Sequence, residues 1–310
     1  MTQPIIAPHT GDTPLKKTRR STPGDPFSAA EHAHYESLRT TDIALEGDPD
    51  LPPDGAQRWS TWADTPPMQR GPEPLPDWVI TATGAVDHEL GVLKTGKEAD
   101  VHLIERAIPH ANDSTLMASK RYRTSDHSLF HRSNDYTVAR GVKKSREKRA
   151  LERKSRFGRE LAAGRWANAE FAALCLCYEE GIAVPYPVQV HGRELIMEYI
   201  GDERQCAPRL ADLAMTPERA EALWEQVDDN VELLAHTGYA HGDLSAYNIV
   251  VDENDDILFV DLPQIVDVYA NPKGFEFLNR DIDNIGRWFI SKGLDPEAVE
   301  ECRARVMAVV

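Results

Sequence analysis

The chain has 310 residues, of which 41% are hydrophobic, and it carries a formal net charge of −16 with a pI of about 5.1. This length suits one large domain or two lobes, and the acidic balance excludes a general nucleic-acid binder, because phosphate backbones repel such a chain. No apolar run approaches the roughly 20 residues of a membrane span, and the four cysteines lack metal-site or disulfide spacing, so we expect a cytoplasmic protein with reduced thiols and no membrane contact.

The first part of the chain, residues 1–75, is rich in Pro, Thr, Asp and Gly and shows no sustained periodicity. This composition predicts a mostly disordered tail, with order beginning near Trp78. Trp59 and Trp62 complicate this interpretation, because a tail that carries tryptophans can dock part of itself onto the folded body.

Apolar patterns then predict three strands, over 85–94, 99–106 and 116–122. The turn between the first two contains Thr95, Gly96 and Lys97. Such a turn either covers a phosphate chain with its hydrogen-bond donors or is a plain hairpin turn. Lys120 lies in the third strand, where it is either an edge residue or the partner of the α- and β-phosphates of a nucleotide.

Residues 140–165 are strongly basic, in contrast to the acidic remainder of the chain. They contain eleven Lys or Arg against three Glu, so this segment carries about +8 and the remainder about −24. Lys, Arg, Glu and Ala favour helix, so part of the segment is predicted to be helical. Two interpretations stay open: a solvated helical face, or a binding surface for an acidic partner such as RNA or a ribosomal particle.

A helix is predicted from Arg165 onward, with Glu170 beside its apolar face. Two strands follow, over 188–191 and 194–199. The second strand runs out into a connector at Gly201, which is a natural hinge between two lobes. The predicted domains are a disordered tail (1–75), an N-lobe with a basic insert at 124–160 (76–201) and a C-lobe (202–310).

Helical patterns dominate the chain beyond this hinge. Thr216-Pro217 predicts a helix start, with an N-cap hydroxyl followed by proline at the first helical position, and Gly238 ends this helix. Two further helices are predicted over 274–291 and 295–308.

The stretch that carries the chemistry is the polar loop 241–248, which reads His-Gly-Asp-Leu-Ser-Ala-Tyr-Asn. Two short apolar runs follow it and predict a hairpin, and Asp261 comes at the end of the second run. Phosphoryl transfer needs one carboxylate to orient the attacking hydroxyl, and an amide oxygen with a second carboxylate to hold Mg²⁺. Asp243, Asn248 and Asp261 fit these roles, and the alternative is that they only cap strand ends.

Taken together and in order, the motifs of the chain resemble those of the RIO family of atypical protein kinases. They are Gly-Lys-Glu-Ala-Asp-Val at 96–101, Lys120, Trp-Ala-x-x-Glu at 166–170, Met-Glu-Tyr-Ile-Gly at 197–201, the 241–248 loop and Val-Asp-x-x-Gln at 260–264. The resemblance covers about 85–295. It implies an α+β, protein-kinase-like fold of two lobes, with a five-stranded N-lobe and a small helical C-lobe. The lack of a winged-helix pattern favours the subfamily without that domain, of bacterial or archaeal type.

The resemblance also implies a role for each matching residue. Asp243 would be the catalytic aspartate that orients the acceptor hydroxyl, and Asn248 and Asp261 would bind Mg²⁺, or Mn²⁺ in its place. Lys120 would bind the phosphates of ATP, with Glu170 as its ion-pair partner. The other ATP-binding positions would be Thr95, Gly96 and Lys97 over the phosphates, and Met197, Glu198 and Ile200 around the adenine.

The implied activity is that of a serine/threonine kinase, which transfers the γ-phosphate of ATP to a protein hydroxyl, its own included, or hydrolyses ATP. Family analogy adds a link to ribosome assembly. Two alternatives stay open. A small-molecule phosphotransferase of the aminoglycoside-kinase type also uses a His-Gly-Asp loop, although Ser245, Tyr247 and the Gly-Lys-Glu-Ala turn argue against it. An ATP-gated binding module would use the nucleotide as a switch, with transfer incidental.

Overall fold

The computed structural model of the chain describes residues 58–109, 111, 113–124, 156–202, 205–262 and 265–310, with the side chains of 156–159 left out. The predicted tail up to residue 57 and the basic insert between 125 and 155 lie outside these residues. The described elements form an α+β, kinase-like fold, with a sheet-rich N-lobe and a C-lobe of helices and short strand pairs.

The N-lobe is built on an antiparallel sheet with the strand order β1-β2-β3-β4-β6-β5. Its strands are β1 (Arg58–Trp59), β2 (Val86–Thr95), β3 (Ala99–Ala107), β4 (Ser114–Tyr122), β5 (Pro187–His191) and β6 (Glu194–Glu198). The last five are the five predicted strands. The predicted number is therefore corrected to six in the described part of the chain, because β1 pairs with β2 at the edge of the sheet.

The additional strand belongs to a segment that the composition assigned to the disordered tail. Residues 58–80, here called the strap, cross one face of the sheet, here called the outer face. The strap and the sheet share one apolar cluster, which includes Trp62, Val79, Ile104, Met117 and Ile196. The predicted start of order near Trp78 is thus wrong, and order extends back at least to Arg58. A proline-rich strap packs without a periodic pattern, so periodicity did not reveal it.

Helix α1 (Arg156–Glu179) covers the opposite face of the sheet, here called the cleft face. It packs there through an apolar stripe that includes Ala163, Ala167, Phe171 and Leu174. Because side chains alternate along a strand, β4 directs Lys120 and Tyr122 to the cleft face and Ser119 and Arg121 to the outer face. α1 begins before the predicted Arg165, so it includes the end of the basic segment, part of which was predicted to be helical.

The C-lobe contains α2 (Pro217–His236), α3 (Gly274–Ile290) and α4 (Pro296–Val309). Its strands are β7 (Tyr239–Ala240), β8 (Ile249–Val251), β9 (Ile257–Phe259) and β10 (Val266–Asp267), paired as β7 with β10 and β8 with β9. The predicted start of α2 is confirmed, since the Thr216 hydroxyl accepts a hydrogen bond from the Arg219 N–H at 3.3 Å. Gly238 follows α2 with a φ of 80°, a conformation that favours glycine, and delivers the chain to β7.

All four cysteines, Cys175, Cys177, Cys206 and Cys302, are free. Among the described helices, none combines the length and the apolar character needed to cross a bilayer.

Candidate active site

A buried carboxylate of α3 fixes the backbone of the loop 241–248, which lies between β7 and β8. Asp281 of α3 accepts hydrogen bonds from the N–H groups of Gly242 (2.7 Å) and Leu244 (2.9 Å), and Arg280 donates to the Gly242 carbonyl. Burial raises the pKa of Asp281, while nearby positive charge and the two amide donors oppose the rise. The backbone on both sides of Asp243 is therefore fixed, and the Asp243 side chain is exposed.

The same loop is tied to the residue that precedes Asp261. The Val260 N–H donates to the Asn248 carbonyl at 2.9 Å, and a ring nitrogen of buried His241 lies 3.3 Å from the Val260 carbonyl. The Asn248 side-chain amide donates to the Asp243 carbonyl at 2.9 Å. Asp243, Asn248 and Asp261, which the sequence motif predicted to act together, thus belong to one hydrogen-bonded backbone unit.

Asp261 lies at the centre of a cluster of charges. Its Oδ1 accepts from Lys120 Nζ at 2.6 Å, and its Oδ2 accepts from Lys94 Nζ at 3.0 Å. The Lys120 ammonium holds the pKa of Asp261 far below its usual range, despite burial, and Lys94 adds to this effect. Asp261 has a φ of 62°, which is uncommon for a residue with a side chain. This ionised carboxylate is 33% exposed, so a ligand can reach it.

Lys120 of the N-lobe binds two carboxylates, one in its own lobe and one in the C-lobe. Its ammonium donates to Glu170 Oε1 of α1 at 2.7 Å as well as to Asp261. Burial alone would lower the pKa of Lys120, but the charges of Asp261 and Glu170 outweigh it and raise the pKa well above the usual value. The Tyr122 hydroxyl donates to the other oxygen of Glu170. The predicted Lys120–Glu170 pair is therefore present and is oriented by a tyrosine.

The turn predicted to cover phosphates is a tight hairpin between β2 and β3. The Gly96 N–H donates to the Ala99 carbonyl at 2.9 Å, and a Cβ at position 96 would lie 2.9 Å from that same oxygen. Only glycine fits there without a shift of the backbone. Thr95 and Lys97 flank it with exposed side chains, at the end of the sheet from which Lys94 reaches Asp261.

The connector between the lobes already uses some of its main-chain groups. The Glu198 N–H donates to the Tyr186 carbonyl at 2.8 Å, and the Ile200 carbonyl accepts from the Ala207 N–H at 2.8 Å. The Glu198 side chain accepts from the Tyr186 N–H at 3.0 Å, and burial raises its pKa. Met197 packs against the main apolar cluster. The expected adenine contacts therefore narrow to the Glu198 carbonyl and the Ile200 N–H.

Asn248 and Asp261 are the residues that would hold a metal ion. Within the described residues, no group of three or more His, Cys, Asp or Glu side chains is arranged for a metal. Mg²⁺ is usually bound through one or two carboxylates together with waters and substrate phosphates, rather than by a complete protein cage. One carboxylate and one amide oxygen fit this pattern, and Mn²⁺ accepts the same oxygen ligands.

Three residues of the site were not predicted from the sequence. Asp281 had a readable signal, because it falls on the apolar stripe of α3 formed by Leu278, Ile282 and Ile285, where a carboxylate needs an internal partner. Tyr122 and Lys94 had none, because each acts through a partner that is distant in sequence.

Comparisons with known proteins agree with this geometry. A family model described as the RIO domain matches residues 108–302. The RIO-type serine/threonine-protein kinase Rio1 of Haloferax volcanii is 31% identical over 225 residues, which are 70% of this chain and 69% of that protein. Serine/threonine-protein kinase rio1 of Schizosaccharomyces pombe is 31% identical over 214 residues, 66% of this chain and 39% of the relative. The Rio2 kinase of Methanocaldococcus jannaschii is 29% identical over 213 residues, 69% and 70% of the two chains.

These relatives include both Rio1 and Rio2 proteins, so the expected subfamily stays a prediction. The aligned part spans well under half of the fission-yeast relative.

Proposed function

The chain belongs to the RIO family of serine/threonine kinases, and from this premise we propose that it transfers the γ-phosphate of ATP to a protein hydroxyl, its own included. The observation that carries the proposal is the connected set Lys120–Glu170 and Lys120–Asp261, together with the hydrogen bonds that tie Asp243 and Asn248 to the residue before Asp261. Family membership alone would not require these contacts in this chain, because a kinase fold that has lost its chemistry need not keep them.

Asp243 is the residue that would orient the acceptor hydroxyl and receive its proton. Its side chain is exposed, whereas its backbone is fixed by Asp281 and Asn248. An exposed carboxylate on a fixed backbone can meet a hydroxyl that arrives from solution without having to reorganise.

Lys120 would bind the phosphate chain, and Glu170 holds it in place for that task. Asn248 and Asp261 would hold Mg²⁺, which when bound neutralises charge on the phosphates. Thr95, Gly96 and Lys97 would cover the phosphates, and the Glu198 carbonyl and Ile200 N–H would bind the adenine.

The basic segment 140–165 supports a separate proposal about the partner. An acidic particle such as RNA or a ribosomal subunit would be attracted to this segment, in keeping with a role in ribosome assembly. Most of the segment lies outside the described residues. Reversing the charge of Lys143, Lys144, Lys148 and Arg149 should weaken such binding with a reduced salt slope, and binding indifferent to salt would reject the electrostatic account.

One experiment separates this function from its alternatives. Purified protein is incubated with γ-labelled ATP and Mg²⁺, alone and with cell extract, and the label is traced to protein, to small molecules or to free phosphate. We expect label on protein hydroxyls, which disappears in the Asp243→Ala variant. Label on small molecules would favour the phosphotransferase alternative, and tight ATP binding without transfer or hydrolysis would favour the binding module.

A further inference from the structure

Lys94 of β2 lies on the cleft face of the sheet. The pairing of β2 with β3 shifts twice, between Glu89 and Gly91 and between Val92 and Lys94. Each shift reverses the alternation of side chains, so the two cancel, and Lys94 faces away from Glu89 as in a regular strand. Lys94 pairs with Val101 of β3. Val101 also pairs with Lys120, so Lys94 and Lys120 lie in one row across three strands.

Lys94 and Lys120 share the carboxylate of Asp261 but differ in their other partners and in the exposure of their side chains. Lys120 is also paired with Glu170 at 2.7 Å, and its side chain is only 8% exposed. Lys94 lies at 3.0 Å from Asp261, and its side chain is 40% exposed. Lys94 can therefore leave Asp261 for solvent or for another anion, whereas Lys120 would lose two carboxylate partners, of which Glu170 is fully buried.

A divalent cation held by Asp261 would meet two ammonium groups on the same carboxylate. The cation and the two ammonium groups are all positively charged, and charges this close to one carboxylate repel each other strongly where water is partly excluded. Of the two ammonium groups, that of Lys94 has the freedom to move away. A triphosphate is strongly anionic and would lie along the row formed by the two lysines, so it is a suitable new partner.

We propose that Lys94 is a second phosphate-binding lysine of this site, which exchanges the Asp261 carboxylate for a phosphate oxygen of the nucleotide when a divalent cation binds. This inference rests on the proposed function, since it requires a nucleoside triphosphate bound at this site. It has two consequences of opposite sign. Lys94 strengthens the binding of the metal–nucleotide complex, and it competes with the divalent cation for Asp261 when no nucleotide is present.

The Lys94→Met variant tests both consequences without an activity assay. A non-hydrolysable ATP analogue is titrated by calorimetry at saturating Mg²⁺, and Mn²⁺ alone is titrated by electron paramagnetic resonance without nucleotide. We expect about tenfold weaker binding of the analogue, as befits the loss of one charge-assisted hydrogen bond, and Mn²⁺ binding that is severalfold tighter. Lys94→Arg should retain most of the affinity for the analogue.

Lys292→Met is the matched control, because it removes one lysine that lies over the Trp288 ring at the end of α3, outside the site. It should leave both titrations unchanged. Unchanged binding of both probes in Lys94→Met, or equal weakening of both, would overturn the inference. The Lys120→Met variant separates this failure from a failure of the proposed function. If the wild-type protein does not bind the analogue, or if Lys120→Met binds it as well as the wild type does, the kinase proposal itself fails.

Discussion

Both faces of the N-lobe sheet carry networks of charged side chains. In the network of the outer face, here called closed, the charged groups pair with one another inside the protein. In the network of the cleft face, here called open, the pairs are partly exposed and can be exchanged for a ligand. Strand β4 contributes to both, since Ser119 and Arg121 point to the outer face while Lys120 and Tyr122 point to the cleft face. The comparison shows how one strand can serve stability on one side and ligand chemistry on the other.

On the outer face, each charge has partners that are fixed within the protein. Fully buried Arg106 donates to both oxygens of Asp87, at 2.7 and 3.1 Å, and to Gln189 at 3.1 Å. Glu194 accepts two hydrogen bonds from Arg58 of the strap, at 2.7 and 2.8 Å, and others from Ser119 and Arg121. Because Ser119 and Arg121 flank Lys120 in β4, the strap helps to fix the strand that carries Lys120.

On the cleft face, the partners can be exchanged. Asp261 and Lys94 are partly exposed, and their ion pair joins the C-lobe to the N-lobe. Ion pairs of this kind contribute little to stability because water competes for them. The open network is therefore suited to a charged ligand. Mutations on the outer face should mainly lower the stability of the protein, and mutations on the cleft side should mainly reduce nucleotide binding or phosphoryl transfer.

The largest effect is expected for Asp243→Ala on the cleft side. If Asp243 orients and deprotonates the acceptor as proposed, its loss should reduce phosphoryl transfer by about 10³-fold or more, within the range of general-base catalysis combined with lost orientation. The affinity for Mg·ATP should remain near that of the wild type, because no phosphate contact is removed. Transfer rates and nucleotide titration measure the two quantities, and an equal loss of both would contradict the assignment.

The next largest effect is expected on the outer face, for Arg106→Met. Removing one member of a buried ion pair leaves Asp87 with only the longer contact to Arg58, at 3.5 Å, which should lower the free energy of unfolding by about 3 kcal/mol. Nucleotide affinity of the folded fraction should not change. Denaturant unfolding gives the stability, with Arg303→Met as a control whose ion pairs are solvent-accessible and should contribute about 0–1 kcal/mol. An equal cost for the two arginines would show that burial of the Arg106–Asp87 pair adds no stability beyond that of an exposed ion pair.

A pH dependence should follow from Glu194. Burial alone would raise its pKa, but the hydrogen bond and charge of Arg58, with help from Arg121, lower it to about 2 from the usual 4.5. A lowered pKa in the folded state stabilises the protein above pH 4.5, and this contribution is lost as the pH falls toward 2. At about 1.4 kcal/mol per pKa unit, roughly 3 kcal/mol is at stake.

The Glu194→Gln variant isolates this contribution. Its unfolding free energy should be lower than that of the wild type at neutral pH, and it should fall less steeply between pH 4.5 and 2. Glu253→Gln, in the exposed acidic turn between β8 and β9, is the matched control and should retain the wild-type acid slope. The same slope in Glu194→Gln and wild type would show that this carboxylate is not held by its arginines.

The smallest effect is expected for Tyr122→Phe. This change removes the hydroxyl that donates to Glu170 and keeps the ring that Lys120 contacts. The loss of one hydrogen bond, about 1 kcal/mol, should loosen Glu170 and weaken Mg·ATP binding severalfold. Calorimetric titration measures this effect, and Tyr178→Phe on the partly exposed surface of α1 is the control. An unchanged affinity would exclude an orienting role for Tyr122.

The parts of the molecule that could be predicted from sequence are those with a local signal. Five strands, the start of α2 and the 241–248 loop follow from periodicity, capping and motif, and each of these depends on neighbouring residues. The strap could not be predicted, because Trp62 and Arg58 are satisfied by residues far along the chain, such as Glu194. Lys94 could not be predicted for a related reason, since its partner Asp261 is 167 residues away and no local pattern links the two.

The central claim is that Asp261 and Asn248 hold a divalent cation against a nucleotide bound by Lys120. Its most direct test is a titration of Mn²⁺ by electron paramagnetic resonance in the presence of saturating ADP, in wild type, Asp261→Asn, Asn248→Ala and Asp243→Ala. We predict a ternary complex in the wild type that persists in Asp243→Ala, weakens in Asn248→Ala and is lost in Asp261→Asn. Mn²⁺ and ADP that bind Asp261→Asn as tightly as the wild-type protein would contradict the account.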